Sequence, residues 1–197
     1  FRQAKKLALK MFKSGIPPIC RSSVIKDRYN ALSKDFSIKN AYYLLGSILR
    51  YCFPNPKINL LPREKGYFYC QEFIAQNSWD TRLIVIGERC IGIRRYCRKG
   101  DFRASGSGVN SAAVGLFDKE CINLAFQLAR KLNMQSVAFD FVKKGNDFLV
   151  VEISYCFAMG KSYDQCPGYW DEHLTFHYTK VDPQKFIFDS VLKINLN

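Results

Sequence analysis

Asp140 and Glu152 are the residues whose types and spacing most directly indicate chemistry. They lie twelve positions apart in the segment VAFDFVKKGNDFLVVEIS. The runs 137–142 and 148–153 are apolar and rich in β-branched and aromatic residues, and residues 143–147 between them are typical of a turn, so a β-hairpin is predicted. Because side chains alternate along a strand, both carboxylates should project from one face, with Cβ atoms about 5 to 8 Å apart.

Two neighbouring carboxylates repel each other, so their proximity needs an explanation. The pair is tolerated if one carboxyl stays protonated, or if a hard divalent cation such as Mg²⁺ bridges both. The alternative is a pair of solvated acids on an exposed sheet face, which is common in hairpins. The spacing alone leaves both interpretations open.

The segment upstream of this pair is predicted to position further polar residues. A strand should end at Gln71-Glu72, and the next should begin near Asp80. The two-residue turn Gly87-Glu88 then joins that strand to a third. The run closes in a basic, glycine-rich loop, GDFRASGSG, where backbone N–H groups could approach an anion.

These features follow one another in an order that is more specific than any one of them. The QEFI strand end, DTRLIVIG, the RR pair, GDFRASGSG, a helix, and the Asp and Glu twelve residues apart resemble the second half of an ATP-grasp domain. The closest likeness is to RimK-like carboxylate-amine ligases, over residues 67–152. The resemblance implies an α+β fold, the ATP-grasp C-terminal subdomain with an antiparallel sheet and packing helices, plus an N-terminal helical segment.

The resemblance also implies roles for particular residues. The adenine hinge, the nucleotide contacts and the phosphate loop are expected at Gln71, Glu72, Phe73, Ile74, Asp80, Arg103, Ala104 and Ser105, with Arg103 also a candidate catalytic residue. The metal ligands are expected at Asp140, Glu152 and Ser154, where the family usually has asparagine in place of the serine. A core position for Phe73, and a strand-edge cap or ion pair for Asp80, remain open alternatives.

The chemistry that the resemblance implies is ligation driven by ATP and Mg²⁺, with Mn²⁺ as an alternative ion. A small-molecule carboxylate would form an acyl phosphate, which an amine or similar nucleophile would attack. Such catalysis depends on positioning and electrostatics, so no serine or cysteine nucleophile is expected. The C-terminal CPGYWDE is similar to an extension of ATP-grasp proteins found among bacterial surface-polysaccharide genes.

Three segments are predicted along the chain. Residues 1–66 form a basic helical segment, with an amphipathic helix that stops at Gly15, a second helix around 41–51 and a break at 54–56. Residues 67–160 form the nucleotide and metal subdomain, with a packing helix capped by Asp118, and 161–197 form an extension packed on the same domain. The family's forward sheet would precede residue 1. We therefore expect this chain to be a piece of a longer protein, and we expect the piece to lack part of the phosphate-binding subdomain.

Composition bounds the rival functions. Thirty Lys and Arg against 17 Asp and Glu give a net charge of +13, which suits a nucleic-acid-binding module, although no motif of that class is present. A scaffold that has lost its nucleotide site is the third alternative. The eight cysteines include no CxxC pair, and no apolar run could span a bilayer. We therefore expect reduced thiols and a cytoplasmic protein, and the resemblance adds small-molecule substrates.

Overall fold

The computed structural model describes residues 2–17, 21–53, 61–98, 101–157 and 163–195. It divides into two compact units, Phe1–Glu72 and Phe73–Asn197. The proline break predicted at 54–56 lies outside the described residues.

The described part of the first unit is helical. Its helices are α1 (Arg2–Lys13), α2 (Arg21–Lys34) and α3 (Ile38–Cys52). α1 ends as predicted, because Gly15 adopts a positive φ of +69° and its N–H donates to the Lys10 carbonyl. Ser37 caps α3 by accepting a hydrogen bond from the Asn40 N–H at 3.2 Å. α2 was not predicted, because its apolar residues do not follow a single helical face.

The second unit is built on an antiparallel sheet with the order β5-β4-β1-β2-β6-β7, and β3 pairs with β2. This confirms the α+β expectation. Its strands are β1 (Trp79–Ile86), β2 (Arg89–Tyr96), β3 (Asn110–Ser111), β4 (Ser136–Lys144), β5 (Asp147–Ser154), β6 (Gly168–Asp171) and β7 (Phe176–Tyr178). Its helices are α4 (Lys119–Lys131) and α5 (Pro183–Asn195), and a short 3-10 turn covers Val114–Leu116.

One face of the sheet carries the larger core and is covered by α4, as the apolar stripe of that helix predicts. The buried side chains of α4 are Cys121, Ile122, Ala125, Phe126 and Ala129. They share a cluster with Leu83, Val85, Val137 and Phe139 of the central strands. This leaves the opposite face of the same strands to carry any polar site.

That opposite face is only partly open. Ile84, Ile91 and Ala138 are buried beneath side chains from the C-terminal segment, among them Tyr163 and Phe186. The segment after residue 162 therefore packs on the same unit and covers one end of the face. The charged residues occupy the other end.

Three local predictions need correction. Residues 67–74 form no strand within the described chain, because no neighbouring strand offers a hydrogen-bonding partner there, and Cys70 is exposed. The β4–β5 turn is tighter than predicted, since β4 runs to Lys144 and β5 starts at Asp147. Asp118 occupies the N-cap of α4, but its side chain makes no capping hydrogen bond and lies 3.7 Å from Lys143 Nζ.

Candidate functional site

Asp140 and Glu152 are directly paired across β4 and β5, so their side chains share one sheet face as predicted, although the observed turn by itself would pair Asp140 with Val151. The register shifts by a bulge between Asp140 and Phe141. The two carboxylates nevertheless have different surroundings. Asp140 is 2% exposed, whereas Glu152 faces solvent and accepts a hydrogen bond from Ser154 Oγ at 3.1 Å.

The buried carboxylate of Asp140 is held by two arginines. Arg82, its partner across β1 and β4, donates from Nε to Oδ1 at 2.6 Å and from Nη2 to Oδ2 at 3.0 Å. Arg95 donates from Nη2 to Oδ2 at 2.6 Å. Charge-assisted, two-pronged contacts of this kind fix the position of a carboxylate.

Arg95 also holds Asp80, which joins a second acid to the same cluster. Its Nε and Nη2 donate to the two oxygens of Asp80 at 2.7 and 2.6 Å. Burial raises the pKa of Asp80, and the hydrogen bonds from Arg95 oppose that rise. Burial alone would lower the pKa of Arg95, but Asp80 and Asp140 raise it above its ordinary value. We assign the pair as ionised, because both Asp80 oxygens accept from a permanently charged group.

The sequence alone does not predict Arg82 and Arg95 as site residues. One local feature does predict part of their contacts with the two acids. The two-residue turn at Gly87-Glu88 fixes the β1–β2 register, which sets Asp80 opposite Arg95. The pairing of β1 with β4 that brings in Asp140 is long-range, and no local feature specifies it.

The predicted phosphate loop is organised around a local ion pair. Arg103 Nη2 lies 2.8 Å from Asp101 Oδ2, and its backbone N–H donates to Oδ1. The hydrogen bonds from Arg103 lower the pKa of Asp101 to about 2. Arg98 donates to the carbonyl of Gly106, where φ is +71°, so the glycine-rich turn is closed by an arginine. Within this loop Ala104 is buried and Ser105 is exposed.

Part of the predicted adenine hinge lies against this loop. The rings of Phe73 and Phe102 meet edge to face, with centroids 5.2 Å apart. Phe73 is 65% exposed, so the core alternative for this residue is wrong. Gln71 and Glu72 belong to the first unit and are exposed, whereas Ile74 is half-buried. The ion-pair alternative for Asp80 is what the structure shows, and a nucleotide contact by Asp80 stays a prediction.

The carboxylate pair fits a hard divalent cation in donor type and in adjacency. Oδ1 of Asp140 accepts one arginine hydrogen bond while Oδ2 accepts two, so Oδ1 retains more capacity. Glu152 and the Ser154 hydroxyl add oxygens on the solvent side. Among the described residues no group of three or more His, Cys, Asp or Glu is arranged to hold a metal. Mg²⁺ is commonly bound by one or two carboxylates with phosphate and water supplying the rest, so a two-carboxylate site is sufficient.

The His177 ring and the His173 backbone both contribute to the turn between β6 and β7. His177 Nε2 lies 2.7 Å from Asp171 Oδ2, and the His177 ring stacks on Tyr169 with centroids 5.1 Å apart. Asp171 also accepts the backbone N–H groups of His173 and Thr175, which closes the turn between β6 and β7. The hydrogen bond from His177 lowers the pKa of Asp171.

The antiparallel sheet with α4 packed on one face agrees with the α+β fold of an ATP-grasp domain. A family model, the RimK-like ATP-grasp domain, matches residues 58–163. The chain belongs to the RimK-like ATP-grasp family. A search of curated proteins found no match to the chain. Among the described helices, none is both long and apolar enough to cross a bilayer.

Proposed function

We propose that this protein is an ATP- and Mg²⁺-dependent ligase that joins a small-molecule carboxylate to an amine through an acyl phosphate. The observation that carries the proposal is the direct pairing of Asp140 with Glu152 on the sheet face opposite α4. The pair lies beside a buried cluster of Arg82, Arg95 and Asp80. Membership in an ATP-dependent ligase family supports the general class of reaction.

The residues of the site have separate roles in this proposal. Glu152 and Asp140 would hold Mg²⁺, and Ser154, whose hydroxyl donates to Glu152, would orient that carboxylate. Bound Mg²⁺ would offset the negative charge that develops on the phosphates as the phosphoryl group is transferred. Arg103 and the glycine-rich turn bind phosphate oxygens, because guanidinium groups and open backbone N–H groups suit anions. Phe73 and Ile74 contact adenine with apolar surface.

The acyl-transfer chemistry needs no protein nucleophile in this scheme. The substrate carboxylate attacks the terminal phosphorus of ATP, and ADP leaves. The amine then attacks the acyl carbon, and inorganic phosphate leaves with the proton taken up by solvent or base. The protein contributes alignment and charge stabilisation, which account for most catalysis of phosphoryl transfer.

A finer proposal concerns the pathway. The CPGYWDE segment, which resembles an extension of surface-polysaccharide ATP-grasp proteins, supplies β6 at Gly168–Asp171, and Trp170 is buried in the main core. The segment therefore completes the sheet rather than forming a separate module. From the resemblance of this segment alone we place the enzyme in surface-polysaccharide synthesis, in the cytoplasm, with an acidic sugar or an amino acid as substrate.

Calorimetric titration with ATP, in the presence and absence of Mg²⁺, tests the nucleotide part of the proposal. We expect Mg²⁺-dependent binding that weakens at least about tenfold in Glu152→Gln, since loss of a carboxylate ligand removes one of two anionic contacts. Asp147→Asn is the matched control, because Asp147 is an exposed acid at the other end of β5. Equal binding by Glu152→Gln and Asp147→Asn would overturn the metal assignment.

Phosphate release from ATP, screened with amino acids and acidic sugars, tests the reaction itself. A carboxylate that stimulates release only when an amine is also present would support the ligase. Salt-sensitive binding of RNA or DNA without any Mg²⁺-dependent ATP binding would instead favour the nucleic-acid-binding alternative.

A further inference from the structure

Helix α3 carries an apolar stripe that faces solvent. Ile38, Tyr42, Leu45 and Leu49 follow one another at steps of four, three and four residues, which places them along one side of a helix. Their exposed fractions are 91%, 72%, 57% and 51%. The stripe is about 16 Å long at 1.5 Å per residue. In an ordinary globular helix such a stripe would be the buried side.

The stripe is not the surface that α3 uses to pack on α2. The Arg28 guanidinium of α2 lies 5.1 Å from the centre of the Tyr43 ring, and the Asn40 side chain donates to the Asp35 carbonyl at 2.8 Å. Tyr43 and Asn40 lie on different sides of the helix from Leu45. α2 therefore fixes how α3 is presented and leaves Ile38, Tyr42, Leu45 and Leu49 without a described partner surface.

The helices of the first unit are basic as well as apolar. Lys39 and Arg50 both lie along one side of the stripe on α3, and α3 has no Asp or Glu. α1 combines three apolar side chains that are more than half exposed, Leu7, Leu9 and Phe12, with five basic residues and no acid. Residues 1–72 hold 14 Lys and Arg against 4 Asp and Glu, whereas residues 73–197 hold 16 against 13. The positive charge of the chain is thus concentrated in the unit that exposes apolar helices.

Three kinds of partner could cover an apolar stripe. A second copy of α3 could pack along the stripe, because steps of four, three and four residues are those of a coiled-coil seam. It would, however, bring two strongly positive units together, and α3 has no acidic residue that could form an ion pair with Lys39 of the other copy. A nucleic acid would neutralise the lysines and stack on Tyr42, yet it offers nothing to aliphatic side chains such as Leu45 and Leu49. An anionic bilayer surface accepts both the charge and the aliphatic groups.

We propose that the first unit docks on anionic lipid surfaces, with the stripe of Ile38, Tyr42, Leu45 and Leu49 entering the interface and the lysines and arginines of α1 and α3 contacting the headgroups. Docking of this kind lies in the membrane plane and needs no spanning helix. It is independent of the ligase proposal, because the residues involved belong to the first unit.

Sedimentation with lipid vesicles tests the docking. The whole chain should sediment with vesicles of phosphatidylcholine mixed with phosphatidylglycerol, far less with phosphatidylcholine alone, and less as salt is raised. Tyr42→Asp should weaken binding about tenfold or more, because it removes apolar contact and adds a repelled charge. Tyr51→Asp is the matched control. Tyr51 is 53% exposed on the same helix and lies nine residues, or two and a half turns, from Tyr42, which is the opposite side.

A charge-neutral variant separates apolar insertion from simple attraction. Leu45→Gln combined with Leu49→Gln should also weaken binding several-fold while circular dichroism stays unchanged, since both side chains are exposed. Equal losses in Tyr42→Asp and Tyr51→Asp would overturn the stripe as the docking surface. Two other results would overturn the proposal. The first is a chain that does not bind vesicles but forms a dimer, which Tyr42→Asp dissociates. The second is a chain that does not bind vesicles but binds RNA. Mg²⁺-dependent ATP binding, measured in the same variants, should not change.

Discussion

Charges of alternating sign meet in the interior of the second unit. Asp80, Arg95, Asp140 and Arg82 form a chain of contacts of 2.6 to 3.0 Å across three neighbouring strands. Buried charges are costly unless each one is paired and hydrogen-bonded. Arg95 satisfies two acids at once, so it is the residue on which the order of both carboxylates depends.

Removal of the Arg95 charge should therefore strongly destabilise the unit. Arg95→Gln leaves Asp80 and Asp140 without a shared cation, and the loss of one partner from a buried pair typically costs about 3 to 5 kcal/mol. Urea unfolding, followed by tryptophan fluorescence, gives the free energy of unfolding. Arg130→Gln is the control, because the Arg130–Glu172 pair is 57% and 37% exposed and surface pairs contribute at most about 1 kcal/mol. Similar small effects in both variants would contradict the role of Arg95.

The pKa of Asp101 reports whether Arg103 is held in the phosphate loop as the structure has it. Hydrogen bonds from Arg103 lower this pKa to about 2, so Arg103→Ala should raise it towards the ordinary value of 3.8. A depressed carboxyl pKa means that loop order is fully present above the ordinary value and is lost as pH falls through about 2. Carboxyl-carbon NMR titration measures both values. An unchanged Asp101 pKa in Arg103→Ala would show that the pair does not form in solution.

The packing of β2 against the segment before α4 depends on a missing side chain. A Cβ at Gly92 would lie 2.6 Å from Cε1 of Phe117, whose ring belongs to the main core. Gly92→Ala should therefore lower the free energy of unfolding by about 1 to 3 kcal/mol, because a close-packed core resists added volume. Gly115→Ala is the control, since a Cβ there meets nothing within 4 Å. A neutral Gly92→Ala would mean that Phe117 is free to move away.

Local turn residues predict the two hairpins, but they do not predict which strands pair over long distances in the sequence. The two-residue turn at 87–88 and the Gly145-Asn146 turn specify β1–β2 and β4–β5. The latter turn alone would pair Asp140 with Val151, and the bulge between Asp140 and Phe141 shifts the register so that Asp140 pairs with Glu152 instead. The pairing of β1 with β4 joins residues about sixty positions apart, so the Asp140–Arg82 contact could not be predicted. The strand predicted at residues 67–74 does not form. Its apolar and aromatic residues favour a strand, but composition alone does not supply a partner strand.

The helices show the same division. α1, α3 and α4 have apolar residues at regular three- and four-residue steps, and all three were predicted. α2 has no such face and was missed. The placement of the C-terminal segment over Ile84 and Ile91 is a tertiary contact that no periodicity encodes.

The distribution of charge over the whole chain explains why net charge is a poor guide to its chemistry. Thirteen of the 17 acids lie in residues 73–197, where they nearly balance the basic residues. The first unit therefore carries +10 of the overall +13, whereas the candidate ligase site lies in a unit of mixed charge. Paired acids in the candidate site and a strongly basic chain are compatible because the two properties belong to different units.

Thiol reactivity should separate the core of the second unit from the exposed chain. Cys90 and Cys121 are buried on the two sides of the α4–sheet interface, whereas Cys52, Cys70 and Cys156 are exposed, and the described cysteines are free thiols. Burial raises the pKa of Cys121 to about 12 and also raises that of Cys90, so neither supplies thiolate at pH 8.

Labelling with a maleimide at pH 8, mapped by mass spectrometry of the peptides, is the measurement. Cys52, Cys70 and Cys156 should react within minutes. Cys90 and Cys121 should react only at urea concentrations that unfold the chain. Their labelling should rise at the same urea midpoint, because both lie in a single core. Arg95→Gln should shift that common midpoint to lower urea while leaving the labelling of Cys52 in the first unit unchanged. If Cys121 reacted in the native chain as fast as Cys52 does, α4 would not be packed on the sheet, and the face assigned to the carboxylate site would lose its structural support.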